Sequence, residues 1–190
     1  MVTLIERLKR REEAALHEWM SRDGGGAMRL ATLLLKDHYE AEDVVQDAFI
    51  LAFNKVEQLS NEEKLTKWLL SIVVSQCRRR TRTWSFKHLL LSSNEELMES
   101  VEDCSPLQLL LTEESRRNVI QTIQRLQPVY REVIALYYYS EYSIKEIADL
   151  INVKENTVKS RLARARKQLA QFLKEGEEDE RTRGSKKVHR

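Results

Sequence analysis

Apolar positions along the chain recur at three- and four-residue intervals, the period of helices that bury one face. Between residues 42 and 56, Val45, Ala48, Phe49, Ala52, Phe53 and Val56 keep that spacing and predict an amphipathic helix. Trp68, Leu69, Ile72, Val73 and Gln76 predict a second, which runs into Arg78-Arg79-Arg80-Thr81-Arg82. Upstream, residues 14–20 and 28–35 read as helical stretches interrupted by Gly24-Gly25-Gly26, because glycine is a poor helix former. These pieces predict one helical bundle over residues 1–90. The period then lapses into SSNEELMESVEDCSP, an acidic run closed by proline, so a linker is expected over residues 91–112. A second helical unit is expected over residues 113–174. The last stretch, EGEEDERTRGSKKVHR over 175–190, has no apolar periodicity and reads as a charged, disordered tail. The expected fold is all-α, two small helical domains joined by an acidic linker.

The second unit carries the sharper local pattern. Ile144, Ile147, Ala148 and Ile151 share one helical face, and Ser143 with Glu146 three residues on forms a capping box that fixes where this helix begins. Asn152 falls where the helix must stop, and asparagine tolerates the left-handed turn conformation. Val158, Leu162, Ala165 and Leu169 then point inward from a new helix whose other face holds Asn156, Lys159, Ser160, Arg161, Arg164 and Lys167. Ala148, Asn152 and Val158 have the spacing of a helix-turn-helix: a small residue at the crossing, a turn residue, and an apolar residue packing back. Such a unit places its second helix in the major groove, with the first side chains at base edges and later arginines on phosphates. Asn156, Thr157, Lys159, Ser160, Arg161 and Arg164 are the candidate DNA contacts.

Composition sharpens this outline. Only 5 Gly and 2 Pro in 190 residues favour helices over a many-turned β architecture. No apolar run has the length of a membrane span and the N-terminus is charged throughout, so neither membrane insertion nor a signal peptide is expected. Cys77 and Cys104 stand 27 residues apart without a CxxC, which speaks for a reducing, cytoplasmic setting and against a disulfide framework or zinc knuckle. A net charge of +2 alone would argue mildly against a nucleic-acid partner. Its distribution argues the other way. Residues 36–63 sum to −6, residues 64–88 to +7, residues 92–114 to −7 and residues 154–174 to +6. Glycine-rich phosphate loops, Ser/His/Asp sets and HExxH runs are all missing, so no enzyme activity, cofactor or metal is expected.

The stretch VYREVIALYYYSEYSIKEIADLINVKENTVKSRLARARKQL resembles region 4 of the extracytoplasmic-function (ECF) sigma factors, the small members of the bacterial sigma-70 family. The likeness lies in Tyr130-Arg131-Glu132-Val133, Glu146-Ile147-Ala148 and Thr157-Val158-Lys159-Ser160-Arg161-Leu162 with Arg164-Ala165-Arg166. Two positions depart from it: Asn152 replaces the usual turn glycine, and Lys154-Glu155-Asn156 replace small residues, so base preference does not transfer. LuxR-type regulators share a similar helix-turn-helix, which leaves a stand-alone transcriptional regulator as the alternative from this half alone. A helical adaptor with an incidental basic face is a third reading.

In AEDVVQDAFILAF, Asp43, Gln46 and Asp47 fall on one helix face. Residue types alone allow acid/base catalysis, a metal site with His38 as the one nearby ligand, a solvated face, or a docking surface for a basic partner. The segment resembles sigma region 2.2, and this implies docking of Asp43, Gln46 and Asp47 on the clamp helices of the polymerase β′ subunit. KWLLSIVVSQCRRRTR similarly resembles regions 2.3 and 2.4, which melt and read the −10 element, with Ser75 and Arg79 standing where the family has Asn and Asp. Lys64, Lys67, Arg78, Arg79 and Arg82 are the candidates for charge contacts there. An all-basic block with Trp68 and Trp84 suits single-stranded DNA, although Trp68 on an apolar stripe reads first as core. The resemblance implies core RNA polymerase (β′ clamp and β flap), promoter DNA and an anti-sigma factor as partners.

Overall fold

The computed structural model describes the backbone of residues 2–88 and 113–187, and the side-chain surroundings of residues 2–81 and 118–175. The linker expected over 91–112 lies outside the described residues. The chain divides into two units, Met1–Asp103 and Cys104–Arg190, and every described element is helical.

The N-terminal unit is built from α1 (Leu4–Lys9), α2 (Glu13–Leu35), α3 (His38–Lys55) and α4 (Leu65–His88), with short 3-10 turns at Val56–Gln58 and Glu62–Lys64. Each of α2, α3 and α4 packs on the other two. The expected break at Gly24-Gly25-Gly26 does not occur, and α2 is a single helix of 23 residues. Trp19, Ala27, Leu30 and Ala31, on both sides of the triplet, are fully buried. Burial of one continuous stripe outweighs a propensity cost of about 1 kcal/mol per glycine.

Helix α3 starts four residues earlier than its apolar pattern suggests, where the Asp37 carboxylate accepts the Glu40 N–H at 3.0 Å. Its buried stripe is Ala41, Val44, Ala48, Phe49 and Ala52, with Val45 and Phe53 half-buried instead of inward. Phe53 lies beneath the Arg11 guanidinium, 4.6 Å from its ring centroid, and Arg11 also donates to the Phe53 carbonyl at 2.8 Å. Trp19 meets Phe49 edge-to-face with centroids 5.2 Å apart, a favoured aromatic geometry. On α4 the inward stripe is Leu65, Leu69, Leu70, Val73, Val74 and Cys77, rotated from the expected one, so that Trp68 is half-buried and not in the core.

The C-terminal unit comprises α5 (Glu113–Arg125), α6 (Pro128–Ile134), a wide π turn over Ala135–Tyr139, α7 (Ile144–Ile151) and α8 (Glu155–Lys187). Pro128 opens α6 at a first-turn position, where its missing N–H is harmless. Leu126, Val133, Leu136, Ile147, Ile151, Val158, Leu162 and Ala165 form the core. Arg131 is buried with them. One of its terminal nitrogens donates to the Gln124 carbonyl at 3.1 Å, in the last turn of α5 where carbonyls lack intrahelical partners. Desolvation lowers the pKa of this guanidinium. The tail expected to be disordered from residue 175 instead continues α8 as helix to Lys187. Once nucleated, a helix adds residues at little cost, and Arg125 secures the boundary by lying 4.1 Å over Phe172 and pairing with Glu175 at 3.0 Å.

Candidate functional site

The first surface belongs to the C-terminal unit and is shaped by α7, its turn and α8. The Ser143 hydroxyl accepts the Glu146 N–H at 3.2 Å, and the Ser143 N–H donates back to Glu146 Oε2 at 2.7 Å, completing the capping box. Asn152 adopts the left-handed conformation (φ 53°, ψ 59°), and the next residue, Val153, donates its N–H to the Ala148 carbonyl at 3.0 Å. This closes α7 tightly and turns the chain into α8. Ala148 is buried at the crossing and Val158 has no exposure at all, the packing that the helix-turn-helix spacing requires.

With Val158, Leu162 and Ala165 fixed inward, the helical period sends the opposite side chains to solvent. Asn156, Lys159, Ser160 and Arg164 are exposed, while Thr157 and Arg161 lie half-buried along one flank. Among the described residues no ion pair engages Lys159, Arg161 or Arg164. Arg166 is different. Its Nε–H donates to the Tyr138 hydroxyl at 2.8 Å, and its guanidinium lies 5.7 and 5.6 Å from the Tyr137 and Tyr138 rings. In the sequence Arg166 figures only within the stretch that resembles region 4 and carries no role of its own. The structure ties it to the π turn, through an interaction that a helical-period argument does not reach.

The second surface belongs to the N-terminal unit. Asp43, Gln46 and Asp47 are all exposed on α3, opposite the stripe that enters the core. Tyr39 and Ile50, 78% and 53% exposed, lie along the same face, and the residue pattern does not single them out. His38 pairs with Glu42 at 3.6 Å, and among the described residues there is no group of three metal-ligating side chains.

The basic block is split. Lys64, Lys67, Arg78 and Arg79 are exposed, while Arg82 lies in α4 with its side chain outside the described set. Arg80 turns inward to α3, with one terminal nitrogen 2.7 Å from Glu40 Oε2 and the other 3.6 Å from Asp43 Oδ2. It is the one arginine of the run that the residue pattern gives no role. The signal was available in its phase: Arg80 continues the line of Leu69, Val73 and Cys77, which are buried.

Comparison with known proteins matches residues 21–85 to the family model "Sigma-70 region 2" and residues 116–169 to "Sigma-70, region 4". ECF RNA polymerase sigma factor SigW of Bacillus subtilis is 27% identical over 154 residues, covering 77% of this chain and 82% of that protein. ECF RNA polymerase sigma factor SigM of Mycobacterium tuberculosis is 30% identical over 146 residues, covering 76% of this chain and 70% of that protein. The sigma factor RpoE of Bartonella quintana, solved in complex with the anti-sigma factor NepR, superposes with a TM-score of 0.61 at 25% identity, over 83% of this chain and 96% of that one.

Proposed function

Because the chain belongs to the extracytoplasmic-function group of the sigma-70 family, and is thus an RNA polymerase sigma factor directing transcription initiation, we propose that its two surfaces divide that work. Sigma factors are non-catalytic initiation factors, so nucleotide addition belongs to the polymerase. The protein binds core RNA polymerase and promoter DNA, and the N-terminal surface is where the polymerase is met. Asp43, Gln46 and Asp47 on α3 dock on basic helices of the β′ clamp, with Tyr39 and Ile50 as apolar anchors beside the carboxylates. The carrying observation is that all three polar residues are exposed while the reverse of the same helix is locked into the bundle.

Lys64, Lys67, Arg78, Arg79 and Arg82 neutralise backbone phosphates around the −10 element. The basic face of α8, from Asn156 to Arg164, enters the major groove at the −35 element, while the C-terminal unit rests against the β flap. An anti-sigma factor belongs among the partners, supported by the Bartonella quintana relative's own complex. The site of action is the cytoplasm; no described helix is long and apolar enough to cross a membrane.

The experiment is co-purification of the full chain with core polymerase, comparing it with a double variant, Asp43→Arg with Asp47→Arg. Both positions face solvent, so the variant folds, and reversed charge on the docking face abolishes the complex. A double variant that still co-purifies with core refutes the assignment.

A further inference from the structure

The phase of α4 sets Arg80 apart from its basic neighbours. Arg78 and Arg79 are exposed, whereas Arg80 is half-buried on the line of Leu69, Val73 and Cys77. It reaches α3 with two nitrogens on two carboxylates. The Glu40 contact, at 2.7 Å, has the length of a charge-assisted hydrogen bond. The Asp43 contact, at 3.6 Å, is an electrostatic tether that leaves Asp43 mostly in solvent, with 64% of its side chain exposed.

Glu40 and Asp43 are three residues apart on one helix face, where like charges repel. A guanidinium between them offsets that repulsion and, being a rigid planar fork, relates the two carboxylates in direction as well as in charge. Glu40 is the anchor, since it is the closer and less exposed partner. Asp43 is the carboxylate offered outward.

We propose that Arg80 is a positioning residue for polymerase docking: anchored on Glu40 by one nitrogen, it holds the other against Asp43 and sets the direction in which that carboxylate meets the clamp. The proposal rests on the docking role given to Asp43 above. It also gives the basic block two separate tasks, since Arg80 serves the acidic surface while Arg78 and Arg79 face outward. A lysine at this position keeps a charge near Glu40 but lacks the planar fork, so Arg80→Lys separates the positioning from the charge.

The test is a double-mutant cycle on the full chain, titrated against sigma-free core polymerase from the bacterium that encodes it. The four proteins are the parent, Asp43→Asn, Arg80→Lys and the double variant, each also carried through thermal unfolding. Asp43→Asn weakens core binding, Arg80→Lys weakens it by about three- to tenfold at an unchanged melting temperature, and the double variant binds scarcely worse than Asp43→Asn alone. Parental affinity in Arg80→Lys, or losses that simply multiply in the double variant, overturns the positioning role and leaves docking by Asp43 intact. An Asp43→Asn protein with parental affinity overturns the docking role, and the positioning role with it. Should Arg80→Lys lower the melting temperature, Glu40→Gln replaces it in the cycle. That change weakens the anchor and keeps the fork, so the same non-multiplicative loss is expected and multiplying losses again overturn the proposal.

Discussion

Trp19 and Asp23, one turn apart on α2, meet inside the N-terminal unit: the indole Nε1–H donates to Asp23 Oδ2 at 2.8 Å. The carboxylate is 6% exposed and is otherwise satisfied by the Thr66 hydroxyl, at 3.1 and 3.2 Å from its two oxygens, and by Arg22 at 3.1 and 3.2 Å. One buried acid therefore joins α2 to the first turn of α4. Asp23→Ala leaves the indole N–H and the Thr66 hydroxyl without their acceptor and costs about 3 kcal/mol of stability. Urea unfolding followed by tryptophan fluorescence measures it. Asp23→Asn, which keeps the shape but loses the charge, costs less, about 1–2 kcal/mol.

The glycine triplet of α2 gives an expectation of opposite sign. An added Cβ at Gly24 or Gly26 meets nothing within 4 Å, and at Gly25 it meets only the end of the Arg29 side chain, at 3.3 Å. No glycine among the described residues has a positive φ. The triplet is thus neither making room nor turning the chain. Gly24→Ala and Gly26→Ala each stabilise the protein by about 0.5–1 kcal/mol, seen as a raised melting temperature. A lowered value would mean that the segment needs a conformation other than this helix.

That helix also marks where sequence reasoning stops short. Local propensity favours a break at Gly24-Gly25-Gly26, and tertiary burial of Trp19, Leu30 and Ala31 overrides it. The all-α class was legible from periodicity, and Ser143, Glu146 and Asn152 were legible because caps and turns depend on a few neighbouring residues. Exposure of Asp43, Gln46 and Asp47 followed from helical phase in the same way. What escaped is non-local. The Arg80–Glu40 bond spans 40 residues of chain, and the Arg166–Tyr138 bond spans 28. Neither separation leaves a mark in local spacing. The helical course of residues 175–187 escaped for another reason: apolar period detects packed helices, and this stretch has no apolar face.

The outward face of α8 yields a prediction that separates DNA binding from folding. Lys159→Ala and Arg161→Ala each weaken promoter binding by the assembled holoenzyme. The slope of log affinity against log salt becomes shallower by about 1 for each phosphate that is no longer neutralised. Val158→Asp acts through the core instead, because Val158 has no exposure and a carboxylate there is buried without a partner. Circular dichroism then reports loss of the C-terminal helices in Val158→Asp and parental helicity in the two alanine variants. A folded Val158→Asp protein would refute the phase assigned to α8.

The last expectation concerns alkaline pH. Burial, and secondarily the Glu146 carboxylate, push the Tyr142 phenol above its ordinary value of 10.0. In the unfolded chain the phenol returns to that ordinary value. Below pH 10 it is therefore neutral in both states and its full contribution to stability is present. As pH rises past 10 the unfolded chain ionises first, and stability of the C-terminal unit falls until the folded phenol ionises as well. Thermal unfolding of the full chain over about pH 9 to 11 tests this against Tyr142→Phe, which cannot ionise. Removing the hydroxyl shifts the stability of the phenylalanine variant by a constant amount, but that stability declines less steeply with pH. The two proteins differ in no other ionisable group, so the difference in slope belongs to Tyr142. Equal slopes would mean that the phenol reaches solvent in the folded protein.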